Sequence, residues 1–332
     1  MKKIISILLL AVMLCSMYSC STTEYIVTPV NEYTLYLYSN SKGIPADTKT
    51  PRFEGAKLDS ISPEIYEKSN IDKKAPIKHD IVLGKELTCY YNCTKKYGIQ
   101  EYDFCAARNK NSEDALYGIF YNCNSGKIAQ YSDLKPCIDR NYSSPVNPSS
   151  TEAEFIAYAK QILLELSGKS TEGYAVSVRT NLDGENEYAK KWVDGFVSDP
   201  EEKEDPLDNV CYEFTFSQTI DGVECYEKLR VYVTNVGELI EMEAYADAAK
   251  YEPFKDLKID REQLERTMLQ QAPSVTNAFH VERYISELVL VAQGNELWAK
   301  GAVTQRWQAE GGMNLSGMTE YVVKLAEYEI AE

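Results

Sequence analysis

Thiol and imidazole groups are the side chains of this sequence that could act together as nucleophile and base. The chain has 332 residues with nine cysteines but only two histidines, His79 and His280. His79 directly follows the lysine-rich stretch 73–78, which we expect to be a loop, and His280 begins a predicted strand. A Cys–His pair needs a thiol beside one of them. The simpler interpretation is two surface or strand histidines, so no catalytic residue is predicted.

The common motifs of enzyme active sites are absent from the sequence. There is no glycine-rich phosphate loop, no HExxH and no GxSxG. A carboxylate pair for glycoside hydrolysis stays open, but with 51 acidic residues a pair carries no information by itself. Trp192, Trp298 and Trp307 could stack on a sugar. Trp298 and Trp307 have opposite parity on one predicted strand, however, which favours a core role.

An acidic segment at residues 199–208 is the candidate for a metal site. Its oxygen-rich composition suits calcium, but it lacks EF-hand spacing and two prolines interrupt it. A zinc site would start from Cys89 and Cys93, but Tyr90-Tyr91 between them indicates a strand. We therefore predict no metal and no cofactor, with calcium as the open alternative. The acidic residues are Asp199, Glu201, Glu202, Glu204, Asp205 and Asp208.

The N-terminus carries an export signal. Lys2 and Lys3 precede an apolar run from Ile4 to Cys15, which is too short to span a membrane at roughly 20 residues. At the end of the signal segment, the four residues Met17-Tyr18-Ser19-Cys20 resemble the bacterial lipobox. That resemblance implies lipidation of Cys20 and an anchor on the extracytoplasmic face of the membrane. The alternatives are a plain signal peptide cut nearby and an uncleaved anchor.

Seven cysteines remain besides Cys15 of the signal segment and the lipidation candidate Cys20. Because seven is odd, at least one thiol stays unpaired or pairs between molecules. Export permits disulfides without requiring them, and the segment 89–137 is the favoured place for bridges. Cys211 and Cys225 lie out of register on adjacent predicted strands, too far apart for a bond. The seven are Cys89, Cys93, Cys105, Cys123, Cys137, Cys211 and Cys225.

Charge and composition limit the classes of partner. The formal net charge is −16, which repels nucleic acid and anionic lipid. A hydrophobic content of 44% with 26% charged residues is typical of a folded chain. No second run of spanning length follows the signal segment, so we expect the remainder to be soluble and divided into two or three domains.

Local signals predict a helix followed by antiparallel strands. Thr151 and Glu154 have capping-box spacing, apolar residues recur at helical intervals, and Gly168 is a suitable end, which predicts a helix over 151–167. Alternating strands with Asp-Gly turns follow. The pattern recurs with Asp260 as a second cap and strands near 280–291, 296–307 and 320–328. The predicted class is α+β, with repeated units of one helix and an antiparallel β-meander.

Residues 100–250, and more loosely 260–330, resemble the PepSY-like family. The resemblance lies in Phe214-Thr215-Phe216-Ser217-Gln218, the turn Asp221-Gly222, the strand from Leu229 to Val233 and Gly237-Glu238-Leu239. It implies a propeptide-type role, binding or inhibiting peptidases at the envelope. The predicted divisions are 1–19 (signal peptide), 20–31 (polar lead), 32–148 (β-rich domain), 149–250 (PepSY-like unit) and 251–332 (C-terminal α+β unit).

These observations favour a non-catalytic protein, lipid-anchored at the cell envelope. It would capture a polypeptide, such as a peptidase, on a sheet face or edge. The alternative is a glycan-active or glycan-binding surface protein that uses carboxylates and aromatic rings. A substrate-binding lipoprotein of an importer is disfavoured, since its lobes need parallel sheets. An open sheet face would favour binding, and a closed acidic cleft would favour an enzyme.

Overall fold

The computed structural model describes residues 24–37, 64–97, 100–109, 112–134, 143–180, 210–275, 278–309 and 311–331. These contain two α-helices, α1 (Glu152–Ser167) and α2 (Arg261–Gln271), and two short 3-10 helices, Ala248–Lys250 and Glu252–Phe254. The strands are β1 (Tyr25–Pro29), β2 (Leu35–Leu37), β3 (Glu64–Tyr66), β4 (Lys78–Val82), β5 (Lys85–Tyr97), β6 (Gln100–Asn109), β7 (Ser112–Asn122), β8 (Ile128–Asp133), β9 (Ala175–Thr180), β10 (Cys211–Ile220), β11 (Val223–Thr234), β12 (Leu239–Glu243), β13 (Ala278–Gln293), β14 (Glu296–Ala309) and β15 (Asn314–Ile330).

The strands form two groups that join into one sheet. The first, which we call the large sheet, has the order β9-β10-β11-β12-β8-β7-β6-β5. The short strands β3 and β4 pair with different parts of the other edge of β5. The second, the arm sheet, has the order β13-β14-β15, with β1 and β2 on the far edge of β15. A parallel bridge between Cys225 of β11 and Leu290 of β13 connects them.

The capping and termination signals predicted for α1 are present in the structure at the predicted residues. The Glu154 N–H donates to the Thr151 hydroxyl and the Thr151 N–H donates to the Glu154 carboxylate, which completes the capping box. Gly168 ends the helix in the left-handed region at φ 71°. The fully buried Ile162 and Leu163 lie on the face turned toward the sheet. The helix predicted over 151–167 is confirmed.

The hydrophobic core under α1 draws on distant parts of the chain. Ile119 of β7 and Tyr131 of β8 belong to the same buried cluster as Phe214 of β10 and Val231 of β11. β12 pairs with β8, so the backbone ladder is continuous there as well. Strands on both sides of residue 149 therefore share one core.

The second helix packs on the arm sheet through a close contact. The Gln263 N–H donates to the side chain of Asp260, the predicted N-cap. Leu264 and Met268 are fully buried against β14 and its neighbours. Gly301 of β14 makes this possible, because a Cβ there would lie 2.2 Å from the Met268 Sδ.

The predicted fold class is wrong. The chain is not a series of helix-plus-meander units but mostly one large mixed β-sheet, with two α-helices in its described part. The predicted meanders merge because β12 pairs with β8 and β11 with β13. Turn residues and alternation are local signals that do not specify which strands pair across a long sequence separation.

Individual turns follow their sequence signals more closely. Asp221 and Gly222 have φ of 47° and 80°, the two positive values that a type I′ hairpin turn needs. They join β10 to β11, as predicted. The turn predicted at Asp183-Gly184 and the strand predicted at 188–196 lie outside the described residues.

Candidate functional site

The two histidines lie in strands rather than in a catalytic pair. His79 is in β4, not in a loop, and its Nδ1 is 3.3 Å from the Thr88 Oγ1. Cys89 follows Thr88 in β5 and therefore points to the opposite face. A cavity of ≈ 480 Å³ opens beside His79, but its Asp80 carboxylate is engaged by Tyr121 and Lys78. His280 is an exposed residue of β13.

Four of the described cysteines are buried, whereas Cys93 is half-buried and Cys123 is exposed. Cys89, Cys93, Cys105, Cys123 and Cys225 are free, so the predicted bridges in the segment 89–137 do not form among its described members. Burial raises the pKa of Cys105, Cys211 and Cys225 to about 12. Such thiols stay protonated and unreactive at neutral pH. Cys137 lies outside the described residues.

Register confirms that Cys211 and Cys225 are far apart on adjacent strands. Cys211 pairs with Thr234 at one end of β11, whereas Cys225 lies near the other end. Within the described stretches, no group of three or more histidine, cysteine, aspartate or glutamate side chains is arranged to hold a metal ion. The acidic segment 199–208 lies outside them.

A carboxylate cluster occupies the face of the large sheet opposite α1. Glu213 pairs with Tyr232, which pairs with Glu241, so two carboxyl groups flank one phenol ring. The Tyr232 hydroxyl donates to Glu213. Burial, followed by repulsion from Glu243, raises the pKa of Glu241 to about 7. Arg230 Nη1 lies 3.5 Å from Glu243 Oε2. A carboxyl group with a raised pKa close to other carboxyl groups is an arrangement that general acid–base catalysis uses.

Aromatic rings lie beside this cluster but are largely covered. The Tyr245 hydroxyl donates to Gln130 Oε1 at 2.8 Å, and the Gln130 side chain donates to Glu241. Phe104 and Phe120 stack with 4.6 Å between their centroids. Phe120 is only 8% exposed. These rings stabilise the sheet and leave little flat surface for a sugar ring.

The tryptophans do not form a common platform. Trp298 and Trp307 both lie in β14 at positions of opposite parity, so they occupy opposite faces. Trp298 is buried, packs edge-on against Tyr36 and donates from Nε1 to Glu296. Trp307 covers Gly317 on the neighbouring strand. Trp192 lies outside the described residues.

Exposed apolar side chains concentrate at the distal end of the arm sheet. We call this end the arm tip: residues 278–286 of β13, 304–309 of β14 and 311–319, which include the first residues of β15. α2 packs on the proximal part of the same strands and buries Val303 and Tyr321 there. The exposed apolar residues of the tip are Phe279 (58% exposed), Val281 (40%), Met313 (65%), Leu315 (40%) and Met318 (58%).

Register places these side chains on both faces of the tip. Trp307 pairs with Leu315 and has the same parity as the core residue Val303, so both lie on the α2 side. Met318 pairs with Thr304 and lies on the opposite side. Phe279 pairs with Gln308 and shares that opposite side. Each face of the arm tip thus exposes large apolar groups to solvent.

The edge of β13 in the tip is irregular. Its pairing with β14 shifts register between Phe279 and Glu282 and again between Ile285 and Glu287. His280 has a positive φ of 51°. Bulges and charged residues of this kind discourage pairing with an additional strand. The accessible feature of the tip is therefore its two faces.

Polar contacts hold the tip to the end of α2. The carbonyl oxygen of Pro273, just after the helix, accepts from Gln305 Nε2 at 2.8 Å and from Arg283 Nη2 at 3.3 Å. On the other face, the guanidinium carbon of Arg306 lies 5.4 Å from the centroid of Tyr284. The arm tip is therefore hydrogen-bonded to Pro273, just after α2, and a side-chain contact links β13 with β14.

These surfaces define a β-sheet protein. The large sheet carries a carboxylate cluster on the face opposite α1, and the arm tip exposes apolar groups on both of its faces. The chain matches no family model, no curated protein and no solved structure. The PepSY-like resemblance therefore remains a sequence resemblance. No helix in the described stretches is long and apolar enough to cross a membrane. The lipidation candidate Cys20 and the signal segment lie outside those stretches.

The sequence predicted neither surface as a site. A signal for the arm tip exists: in residues 313–318, apolar side chains occupy both odd and even positions, unlike the alternation of a half-buried strand. For the carboxylate cluster there was none, because its members come from separate strands and meet only through pairing.

Proposed function

We propose that this chain is a non-catalytic protein, anchored through a lipid on Cys20 to the extracytoplasmic face of a bacterial membrane, and that it binds a polypeptide through the arm tip. The observation that carries the proposal is the group of exposed apolar residues at this tip. Contiguous exposed apolar surface marks sites of association, because its burial is favourable and its exposure is not.

The residue types at the tip suit a protein partner. Met, Phe, Trp, Tyr and Arg are enriched in the buried centres of protein–protein interfaces. Trp307, Tyr284 and Arg306 lie among the exposed apolar residues already named. The acidic chain, with a net charge of −16, repels nucleic acid and anionic surfaces at longer range. A neutral or basic polypeptide with an apolar site is the partner that fits.

A capture experiment with matched variants tests this proposal. Immobilised Ser21–Glu332 is incubated with surface extract of the native organism, and retained polypeptides are identified by crosslinking and mass spectrometry. The tip variant carries Phe279→Ser, Leu315→Ser and Met318→Ser. The control variant carries Ile65→Ser and Ile81→Ser, at positions 61% and 68% exposed on the large sheet.

We expect one set of polypeptides to bind the wild-type chain and the control equally. The tip variant should retain at least tenfold less of it, because it lacks the apolar groups of the interface. Equal retention by all three chains, or no specific retention, would contradict the proposal.

The carboxylate cluster favours a second function, the binding or cleavage of glycan. Glu241, with its pKa of about 7, is the candidate acid, and Glu243 and Glu213 are the neighbouring carboxylates. The test is a panel of polysaccharides assayed for binding and for release of reducing ends. Activity that disappears in Glu241→Gln but persists in the exposed control Glu172→Gln would support this function over polypeptide binding.

A further inference from the structure

The arm tip lies at the opposite end of its strands from the N-terminal segment. β1 pairs with the last residues of β15, so that Tyr25 lies opposite Ile330. The Ala331 N–H donates to the Glu24 carbonyl at 2.9 Å, which extends this pairing to the end. The tip begins at Asn314, the other end of the same strand. The chain therefore enters the fold at the base of the arm sheet.

Chain lengths show how far apart the two ends are. β15 has 17 residues, and at about 3.3 Å per residue its ends are about 50 Å apart. Cys20 precedes Glu24 by four residues, a segment that reaches at most about 14 Å. The attachment point of a lipid on Cys20 thus stays at least roughly 35 Å from Asn314 and at least roughly 25 Å from Met318, whatever path the segment takes.

This separation excludes the anchoring membrane as the cover for both faces of the tip. Only end-on insertion would bury both faces in lipid. With Met318 at the membrane surface, the base of the arm sheet would lie about 40 Å from the membrane, beyond the reach of the segment. A molecule lying flat on the membrane would cover one face alone. Leu315 on one face and Met318 on the other would not both be buried.

We propose that a polypeptide partner clasps the arm tip in an apolar cleft that contacts both faces at once. This inference rests on the proposed function and adds the shape of the partner and the mode of recognition. The irregular edge of β13 argues against added strand pairing, so the contacts are made by side chains. The partner approaches from the aqueous side, away from the lipid.

Site-specific photocrosslinking in the native cells tests the clasp with the full-length chain. A photoreactive phenylalanine analogue replaces Leu315 on the α2 side in one variant and Met318 on the opposite side in another. Ile81, exposed on the large sheet, is the control position. Adducts are separated by mass and sequenced, and lipid adducts are scored separately.

We expect both tip positions to crosslink to the same polypeptide, with the control at least tenfold lower. Adding Met318→Ser to the Leu315 variant should reduce its adduct severalfold, because loss of one face weakens the whole clasp. Crosslinks from one face only would overturn the clasp and leave polypeptide binding standing. Lipid adducts from both faces would overturn the clasp, and an absence of polypeptide adducts from either face would contradict the proposed function itself.

Discussion

The two helices cover their sheets to different extents. α1 has 16 residues and packs on the large sheet, where strands from β5 to β12 contribute to the core beneath it. α2 has 11 residues, a length of about 16 Å. The arm strands beneath it have 14 to 17 residues and reach about 50 Å. The short helix leaves the distal part of its sheet uncovered, and the exposed apolar residues lie there.

This difference separates stability from association within one sheet. Residues under α1 and α2 are buried and stabilise the fold by removing apolar surface from water. Residues at the arm tip have the same chemical types but stay 40–65% exposed, so they contribute less to the stability of the fold. The proposed intermolecular contact rests on these apolar groups, which the stability of the fold does not explain.

The largest contrast is expected between core and tip truncations. Ile162→Ala beneath α1 should lower the free energy of unfolding by about 2–5 kcal/mol, because it leaves a cavity in a fully buried site. Met318→Ala at the tip should change it by less than about 0.5 kcal/mol. Urea unfolding followed by circular dichroism measures both. A comparable loss for Met318→Ala would mean that the tip is part of the core.

The uncovered face of the large sheet should make stability depend on pH. The raised pKa of Glu241, about 7 against 4.5, means that the folded chain holds this proton more tightly than the unfolded chain. The contribution of Glu241 to the free energy of unfolding is therefore fully present below pH 4.5 and is lost as the pH rises through about 7. Glu241→Gln removes the charge, so it should stabilise the protein at pH 8, by at most about 3 kcal/mol, and have little effect at pH 4.

Urea unfolding at the two pH values measures this dependence, with Glu172→Gln as the control for an exposed glutamate. If Glu241→Gln has the same effect at both pH values, Glu241 is ionised normally in the folded chain. The acid proposed for the glycan function would then be lost as well.

Helix capping should have a smaller effect that distinguishes the two helices. Thr151→Ala removes the side-chain acceptor of α1, and Asp260→Ala removes that of α2; each should cost about 1 kcal/mol. Hydrogen exchange should accelerate in the first turn of the affected helix only. Thr151→Ser keeps the hydroxyl and is the matched control. Faster exchange throughout both sheets would show that the helices unfold as one unit.

The smallest effect is expected from Gly317→Ala. An added Cβ would lie 3.3 Å from the Trp307 ring, so the ring must shift by a few tenths of an ångström. Stability should change by less than about 1 kcal/mol, while the fluorescence of Trp307 changes because its surroundings change. Gly311→Ala, in the neighbouring turn, tests whether backbone strain alone has this effect. An unchanged emission spectrum in Gly317→Ala would contradict the packing of Trp307 on this glycine.

Sequence patterns predicted the helices well because their signals span only a few residues. Thr151, Glu154 and Gly168 specify the ends of α1 through contacts within one helical turn. Pairing between strands could not be predicted in this way. β8 meets β12 across more than a hundred residues, and nothing in either strand identifies its partner.

The candidate sites depended on those pairings even more. Glu213 and Glu241 approach each other only because β11 lies between their strands and presents Tyr232 to both. Leu315 and Met318 are recognisable as apolar residues in the sequence, but their exposure depends on how far along the arm sheet α2 extends. Neither fact is encoded in a contiguous segment.

By itself, the sequence determined the acidic charge, the helix caps and the tight turns, since each depends on composition or on neighbouring residues; the export signal and the lipidation of Cys20 stay predictions. Tertiary structure alone decided that the predicted meanders merge into one sheet and that no described part of the chain covers the arm tip. The physical reason is that burial and strand pairing are properties of segments far apart in the chain. Their free energy exists only once those segments meet.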